Sequence, residues 1–261
     1  MNRKFRRLLV AASVVGSGAV VAAMPAGSAA GPVIFHHPRI RLAGSGNKAG
    51  GWASSNWSGY ALQGSGYSSV TAQWVVQSVS ASRRAAYSSQ WVGIDGFNNS
   101  SLIQTGTESD VYNGKTHYDA WWEILPAAET VIPSIVVSPG DQMSASITKG
   151  SGSSWTITIS DTTTGKTFSA PETYTGPQTS AEWIEEAPTV GGRIAPLANY
   201  GKTTFDPGAV NGSSPGFTAS EGGVMIQNRI QVSTPSNPDN DSSPDGFNMA
   251  YGATAPSAPA S

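Results

Sequence analysis

Five carboxylates flank tryptophans in two short stretches, Asp119-Ala120-Trp121-Trp122-Glu123 and Ala181-Glu182-Trp183-Ile184-Glu185-Glu186. On an extended strand side chains alternate, so Asp119, Trp121 and Glu123 share one face, and so do Glu182, Ile184 and Glu186. A tryptophan beside a carboxyl lowers the local dielectric and raises its pKa, which is how proteins tune a general acid or base. The same spacing suits solvated strand carboxylates beside core tryptophans. Residue types alone do not separate the two.

Other hydrolytic chemistries lack their residues. With no cysteine among 261 residues, a thiol nucleophile, a disulfide framework and a thiolate metal site are excluded. A Ser-His-Asp triad needs a histidine, and outside His36 and His37 only His117 remains, after the Asn113-Gly114 turn signal, where it reads as a surface loop residue. No H-E-x-x-H pair, Asp-Thr-Gly or Asp-Ser-Gly occurs, so neither a metal site nor a cofactor is expected. Carboxylate chemistry with amide and aromatic helpers is what survives.

Strands must position these groups. Val70, Ala72, Trp74 and Val76 alternate with polar neighbours, as do Met143, Ala145 and Ile147, and Trp155, Ile157 and Ile159. Shorter apolar runs at Gln90–Ile94, Ile132–Val137 and Val224–Ile226 read as further strands, and Phe247–Tyr251 as a last one. Ser233–Pro244 reads as a polar loop, and no window has sustained helical spacing. Gly 30 and Pro 17 make about 18% of the chain, against roughly 12% in ordinary usage, and they punctuate these runs. The expectation is all-β: an antiparallel two-sheet β-sandwich with curved, concanavalin-like sheets.

Charge is uneven. Arg3, Lys4, Arg6 and Arg7 precede an uncharged stretch to Met24 and a Ser28-Ala29-Ala30 pattern, which predicts a signal peptide over 1–30 and a secreted, extracellular product. Residues 31–50 read as a basic pro-segment or linker, 51–252 as the sandwich and 253–261 as an Ala/Pro/Ser tail. From Gly31 onward eleven basic residues face seventeen acidic ones, a formal −6; without 31–50 eight face seventeen, a formal −9. The basic segment is therefore expected to cover an acidic cleft until it is cleaved. At 12% charged residues the chain lacks the basic surface that nucleic acid demands, and no membrane partner is expected once the leader is gone. Nothing in the sequence signals oligomerisation, so a monomer is expected.

Five segments occur in one order: Ser55-Asn56-Trp57-Ser58-Gly59, Trp91-Val92-Gly93-Ile94-Asp95-Gly96, Leu102-Ile103-Gln104-Thr105-Gly106, Tyr118-Asp119-Ala120-Trp121-Trp122-Glu123 and the Ala181–Glu186 run. The set resembles the glutamic peptidases (eqolisins), pepstatin-insensitive acid endopeptidases with a Gln/Glu catalytic dyad, over about Trp52 to Tyr251. The resemblance implies a sandwich of two curved antiparallel sheets, Gln104 and Glu186 as the dyad, and Trp57, Trp91, Asp95, Asp119, Trp121 and Glu123 as cleft-lining or supporting positions. Glu186 would take a proton from the attacking water and return it to the leaving amine, while the Gln104 amide steadies the oxyanion. Departures exist. Fungal members often have disulfides, the usual Trp-Tyr-Glu-Trp becomes Trp121-Trp122-Glu123-Ile124, and Glu185 stands where an aliphatic residue is common. Glu185 reads as a strand-edge or surface charge, or as the base if a bulge turns it inward. Asp95 also suits a plain Asp-Gly turn.

Two other functions fit paired glutamates and tryptophans on a sandwich. One is a glycoside hydrolase with two carboxyls across a sugar, the other a carbohydrate-binding module with an aromatic platform. Neither needs a glutamine at position 104. Polypeptide is therefore the expected substrate.

Overall fold

The structure, a computed structural model, describes residues 31–42 and 51–260; the expected signal peptide and positions 43–50 of the basic segment lie outside the described residues. The strands are β1 (Ile34–Phe35), β2 (Trp52–Ser54), β3 (Trp57–Gln63), β4 (Ser69–Val75), β5 (Ser89–Ile94) and β6 (Ile103–Tyr112). They continue with β7 (Lys115–Ile124), β8 (Thr130–Val131), β9 (Gln142–Lys149), β10 (Ser154–Asp161), β11 (Lys166–Thr173) and β12 (Ser180–Glu186). The last six are β13 (Thr189–Val190), β14 (Arg193–Ile194), β15 (Lys202–Val210), β16 (Gly222–Gln227), β17 (Ile230–Pro238) and β18 (Phe247–Tyr251). Among the described residues the only helical turn is Ala219–Glu221.

Two antiparallel sheets lie face to face. Hydrogen bonding runs in the order β11-β10-β9-β4-β15-β18-β17-β16-β3-β12-β5-β6-β7-β8, with β2 added to β16 in parallel; β1, β13 and β14 form a small third sheet. β4, β9 and β10 pack across from β5, β6 and β12. The alternation in the sequence becomes burial. Val70, Ala72, Trp74, Met143, Ala145, Ile147, Trp155, Ile157 and Ile159 point inward to meet Val92, Ile94, Ile103, Ala181 and Trp183. Full burial of each large apolar side chain contributes about 1.5–3 kcal/mol. Buried indole N–H groups bond across the layers, Trp74 Nε1 to Thr107 Oγ1 (3.0 Å) and Trp183 Nε1 to the Thr71 carbonyl (2.8 Å).

β9 and β10 expose their outer faces, whereas β5, β12 and nearly all of β6 are buried on both. One face of these central strands meets the interlayer core. The other carries a second cluster, Trp57, Ala61, Trp91, Phe97, Leu102, Trp121 and Ile184.

Three expectations are corrected. No residue of the expected Ile132–Val137 strand lies in a strand, since β8 ends at Val131; the chain then turns through Pro133, and Ile132, Ile135 and Val137 drop into the core from that turn. The first half of the expected 233–244 loop is strand β17, since Ser233, Thr234 and Pro235 pair with β18. His117 lies within β7, partly buried and stacked on Tyr112 at 3.6 Å.

Candidate active site

Pairing across five strands arranges the second face into three rows. Glu123, Gln104, Gly93, Glu182 and Ala61 form one; Trp121, Gly106, Trp91, Ile184 and Gly59 the next; Asp119, Glu108, Ser89, Glu186 and Trp57 the third. The middle row needs Gly106, because a Cβ there would come within 2.5 Å of the Trp91 Cβ. All three of Glu123, Gln104 and Glu186 are buried, which excludes the solvated reading for them.

The Glu186 carboxylate is held on both oxygens. Oε2 accepts from Trp91 Nε1 (2.8 Å) and contacts His36 Nδ1 (2.9 Å); Oε1 accepts from the His37 backbone N–H (3.3 Å) and from Asn56 Nδ2 (3.5 Å). Trp57 meets Trp91 edge to face at 4.9 Å and so fixes that ring. Two strands away, Gln104 Nε2 donates to Glu123 Oε2 (2.6 Å), and Glu123 Oε1 accepts the His36 backbone N–H (3.3 Å). One of the two Gln104 N–H donors thus remains available, and its buried Oε1 has no partner. Burial, partly offset by His36 and reinforced by repulsion from Glu186, pushes the Glu123 carboxyl up to about 7.

Residues 32–42 therefore occupy the site that the strands build. β1 pairs with β13, Arg39 N–H donates to the Gly96 carbonyl with its guanidinium over the Phe97 ring at 3.7 Å, and Ile40 N–H donates to Asn56 Oδ1. The His36 ring is fully buried and stacks on Trp121 at 3.8 Å. Its Nε2 lies 3.1 Å from Glu108 Oε1 and 3.3 Å from Glu129 Oε2. Burial alone would lower the His36 pKa, but the charge on Glu186 and contacts with Glu108, Glu129 and Glu186 hold it well above its usual value. Burial likewise pushes Glu129 up to about 7, against the pull of His36.

The remaining expected residues separate. Trp121 forms the floor under His36 and donates from Nε1 to Ser89 Oγ (3.1 Å). Asp119 is exposed, at the open end of Glu108's row. Asp95 does not reach the cluster; at φ 74° it accepts from Tyr174 Oη, Gln178 N–H and Thr179 N–H, fastening the loop before β12. Glu185 is not at a surface or a strand edge. It points between the layers, where Gln77 Nε2 donates to it (3.0 Å), and burial holds its pKa well above the ordinary range. β12 pairs in unbroken register from Ser180 to Glu186, so no bulge turns Glu185 into the cleft.

Glu108, Ser89, Asn56 and Glu129 escaped the sequence reading. Glu108 follows Gln104 at the same two-residue period and was accessible on that ground; Glu129 sits in a turn and carried no signal. A cavity of about 600 Å³, lined by Leu42, Ser55, Ile194, Pro196 and Gln227 among others, has no carboxylate in its lining. The chemistry lies instead where His36 fills the space. Two groups have metal-type donors, His36 with Glu108 and Glu129, and Asp206 with Asp239 and Asp245. The contacts in the first have hydrogen-bond lengths.

The two-sheet sandwich thus sets a buried glutamate opposite a glutamine–glutamate pair. The chain belongs to the Peptidase A4 family, whose model matches residues 55–244. It is 34% identical over 178 residues to aspergillopepsin-2 of Aspergillus niger, covering 58% of this chain and 62% of that relative, so it spans less than two thirds of the relative's length. Scytalido-glutamic peptidase, solved with a transition-state analogue inhibitor, is 28% identical, with TM-score 0.63 over 76% of this chain and 98% of that one. A further member of the eqolisins, solved with the tripeptide Ala-Ile-His, is 27% identical, with TM-score 0.57 over 76% and 98%.

Proposed function

We propose that the chain is a secreted, pepstatin-insensitive acid endopeptidase in which Glu186 is the general base and Gln104 the oxyanion donor. One observation carries this reading: the His36–His37 peptide lies between the two groups, with His36 N–H on Glu123 and His37 N–H on Glu186 Oε1. With a scissile bond in that place, an attacking water would lose a proton to Glu186 while its oxygen joins the carbonyl carbon. Oε1 already faces the backbone nitrogen that must receive the proton as the C–N bond breaks. The free Gln104 N–H is a donor that cannot titrate, suited to the oxyanion. Glu123 holds Gln104 in place. Trp91 and Asn56 fix the base.

The segment at 32–42 is the pro-segment of this reading and has to leave before another polypeptide can enter. That a relative holds Ala-Ile-His supports a cleft shaped for peptide; here His36 lies in it. Digestion of denatured haemoglobin or casein at pH 2–5 with pepstatin present tests the proposal. Native chain should be active, and Glu186→Gln and Gln104→Ala nearly inactive. Full activity in both variants overturns the dyad, and cleavage of glucan or xylan without proteolysis overturns the substrate class.

A further inference from the structure

Resting on that peptidase reading, we infer that Trp121, Glu108 and Glu129 form the subsite for the side chain preceding the cleaved bond, that this subsite selects protonated histidine, and that His36–His37 is the first bond cut. Glu108 is 2% exposed, no nitrogen other than that of His36 reaches it, and its buried neighbours Asp110 and Glu129 are acidic as well. A buried carboxylate without a donor is costly, and its compensation is the His36 ring 3.1 Å away. The partner has to be flat to stack on Trp121 at 3.8 Å with 11° between planes, and cationic at its far edge to face Glu108 and Glu129 together. An aliphatic side chain fills the space but strands the carboxylate. Cutting adds the water oxygen to the His36 carbonyl carbon, breaks its bond to the His37 nitrogen and passes the water proton through Glu186 to that nitrogen.

Acidify the purified full chain, read new N-termini by mass spectrometry, and measure kcat/KM at pH 5 on Ile-Phe-X-His-Pro peptides with X as His, Gln or Leu. A new terminus at His37, absent from Glu186→Gln, and at least a tenfold preference for His are expected. In Glu108→Gln and Glu129→Gln that preference should shrink at least threefold each. Equal cleavage of the three peptides by an active chain, or a new terminus elsewhere, overturns the subsite but leaves the peptidase. No cleavage of any peptide or protein overturns both.

A separate observation concerns the far loop. One carboxylate oxygen from each of Asp206, Asp239 and Asp245 lies within 4.8 Å of the others, about twice a calcium–oxygen distance. Asp239 is 5% exposed; its Oδ2 accepts from Gly246 N–H, while its buried Oδ1 has no partner. No lysine or arginine pairs with any of the three among the described residues. The geometry points to a calcium site that ties the β17–β18 loop to β15. Terbium is the probe, because the Trp183 indole lies beside Gly208, whose N–H donates to the Asp245 carbonyl. At pH 7 the full chain should show saturable, tryptophan-sensitised terbium emission displaced by calcium, and calcium should raise its Tm by several degrees. Asp245→Asn and Asp206→Asn should lose both. Absent emission, or emission unchanged in both variants, overturns the site.

Discussion

Glu185 and Glu186 are adjacent on one strand, equally buried, and opposite in circumstance. Glu186 enters a polar layer in which both oxygens find N–H donors, from Trp91, Asn56 and the His37 backbone. Glu185 enters the layer between the sheets, where Gln77 supplies one donor and the second oxygen has none. A carboxylate met by several donors is held in place for use as a base, whereas one buried with a single donor retains its proton. The same division holds for whole strands. On β6, Gln104 and Glu108 face the cleft while Ile103 and Thr107 face the core. Burial is common to both faces. What differs is the supply of hydrogen-bond donors.

Exchanging the two glutamates is the sharpest way to break this contrast. Glu186→Gln should lower kcat/KM on acid-denatured protein by about 10³-fold, the range of a lost general base, with the fold intact by circular dichroism. Gln104→Ala should cost about 10²–10³-fold, mainly in kcat, as the loss of an oxyanion donor does; loss in KM alone would assign Gln104 to binding. His36→Ala removes the side chain that the subsite selects, so the full chain should reach maximal peptide hydrolysis about tenfold later after acidification. An unchanged lag would free His36 of that role. Glu185→Gln keeps shape and partner while removing a latent charge. It should retain activity and raise Tm at pH 7 by a few degrees, about 1 kcal/mol in a chain of this size. A large activity loss there would reverse the assignment of the two faces.

The pH dependence of stability sharpens the contrast further. Glu123 and Glu129 are raised from 4.5 to about 7, and His36 is raised above 6.5. Each binds its proton more tightly folded than unfolded, so each contribution is full at low pH and fades as pH rises. The Glu108, Glu186 and Asp119 carboxyls surround the same groups. Melting of the Gln104→Ala full chain, which keeps these carboxyls and its segment, should therefore show Tm highest below pH 4.5 and falling through pH 7. A Tm that climbs over that range would contradict the site's electrostatics.

Sequence alone determined that this chain is a sandwich, because a period of two in apolar residues leaves a strand few other ways to bury them. It also determined which side of β12 carries Glu186, since alternation on an unbroken strand is a local property, and the order of motifs pointed to the family. Only the tertiary structure decided what lies opposite. That Asp95 fastens a loop, that Glu185 sits between layers, that Glu129 arrives from a turn and that His36 closes the cleft from 150 residues away along the chain all depend on pairings between distant segments. Such contacts are set by how two sheets fold over one another, and no local spacing encodes them.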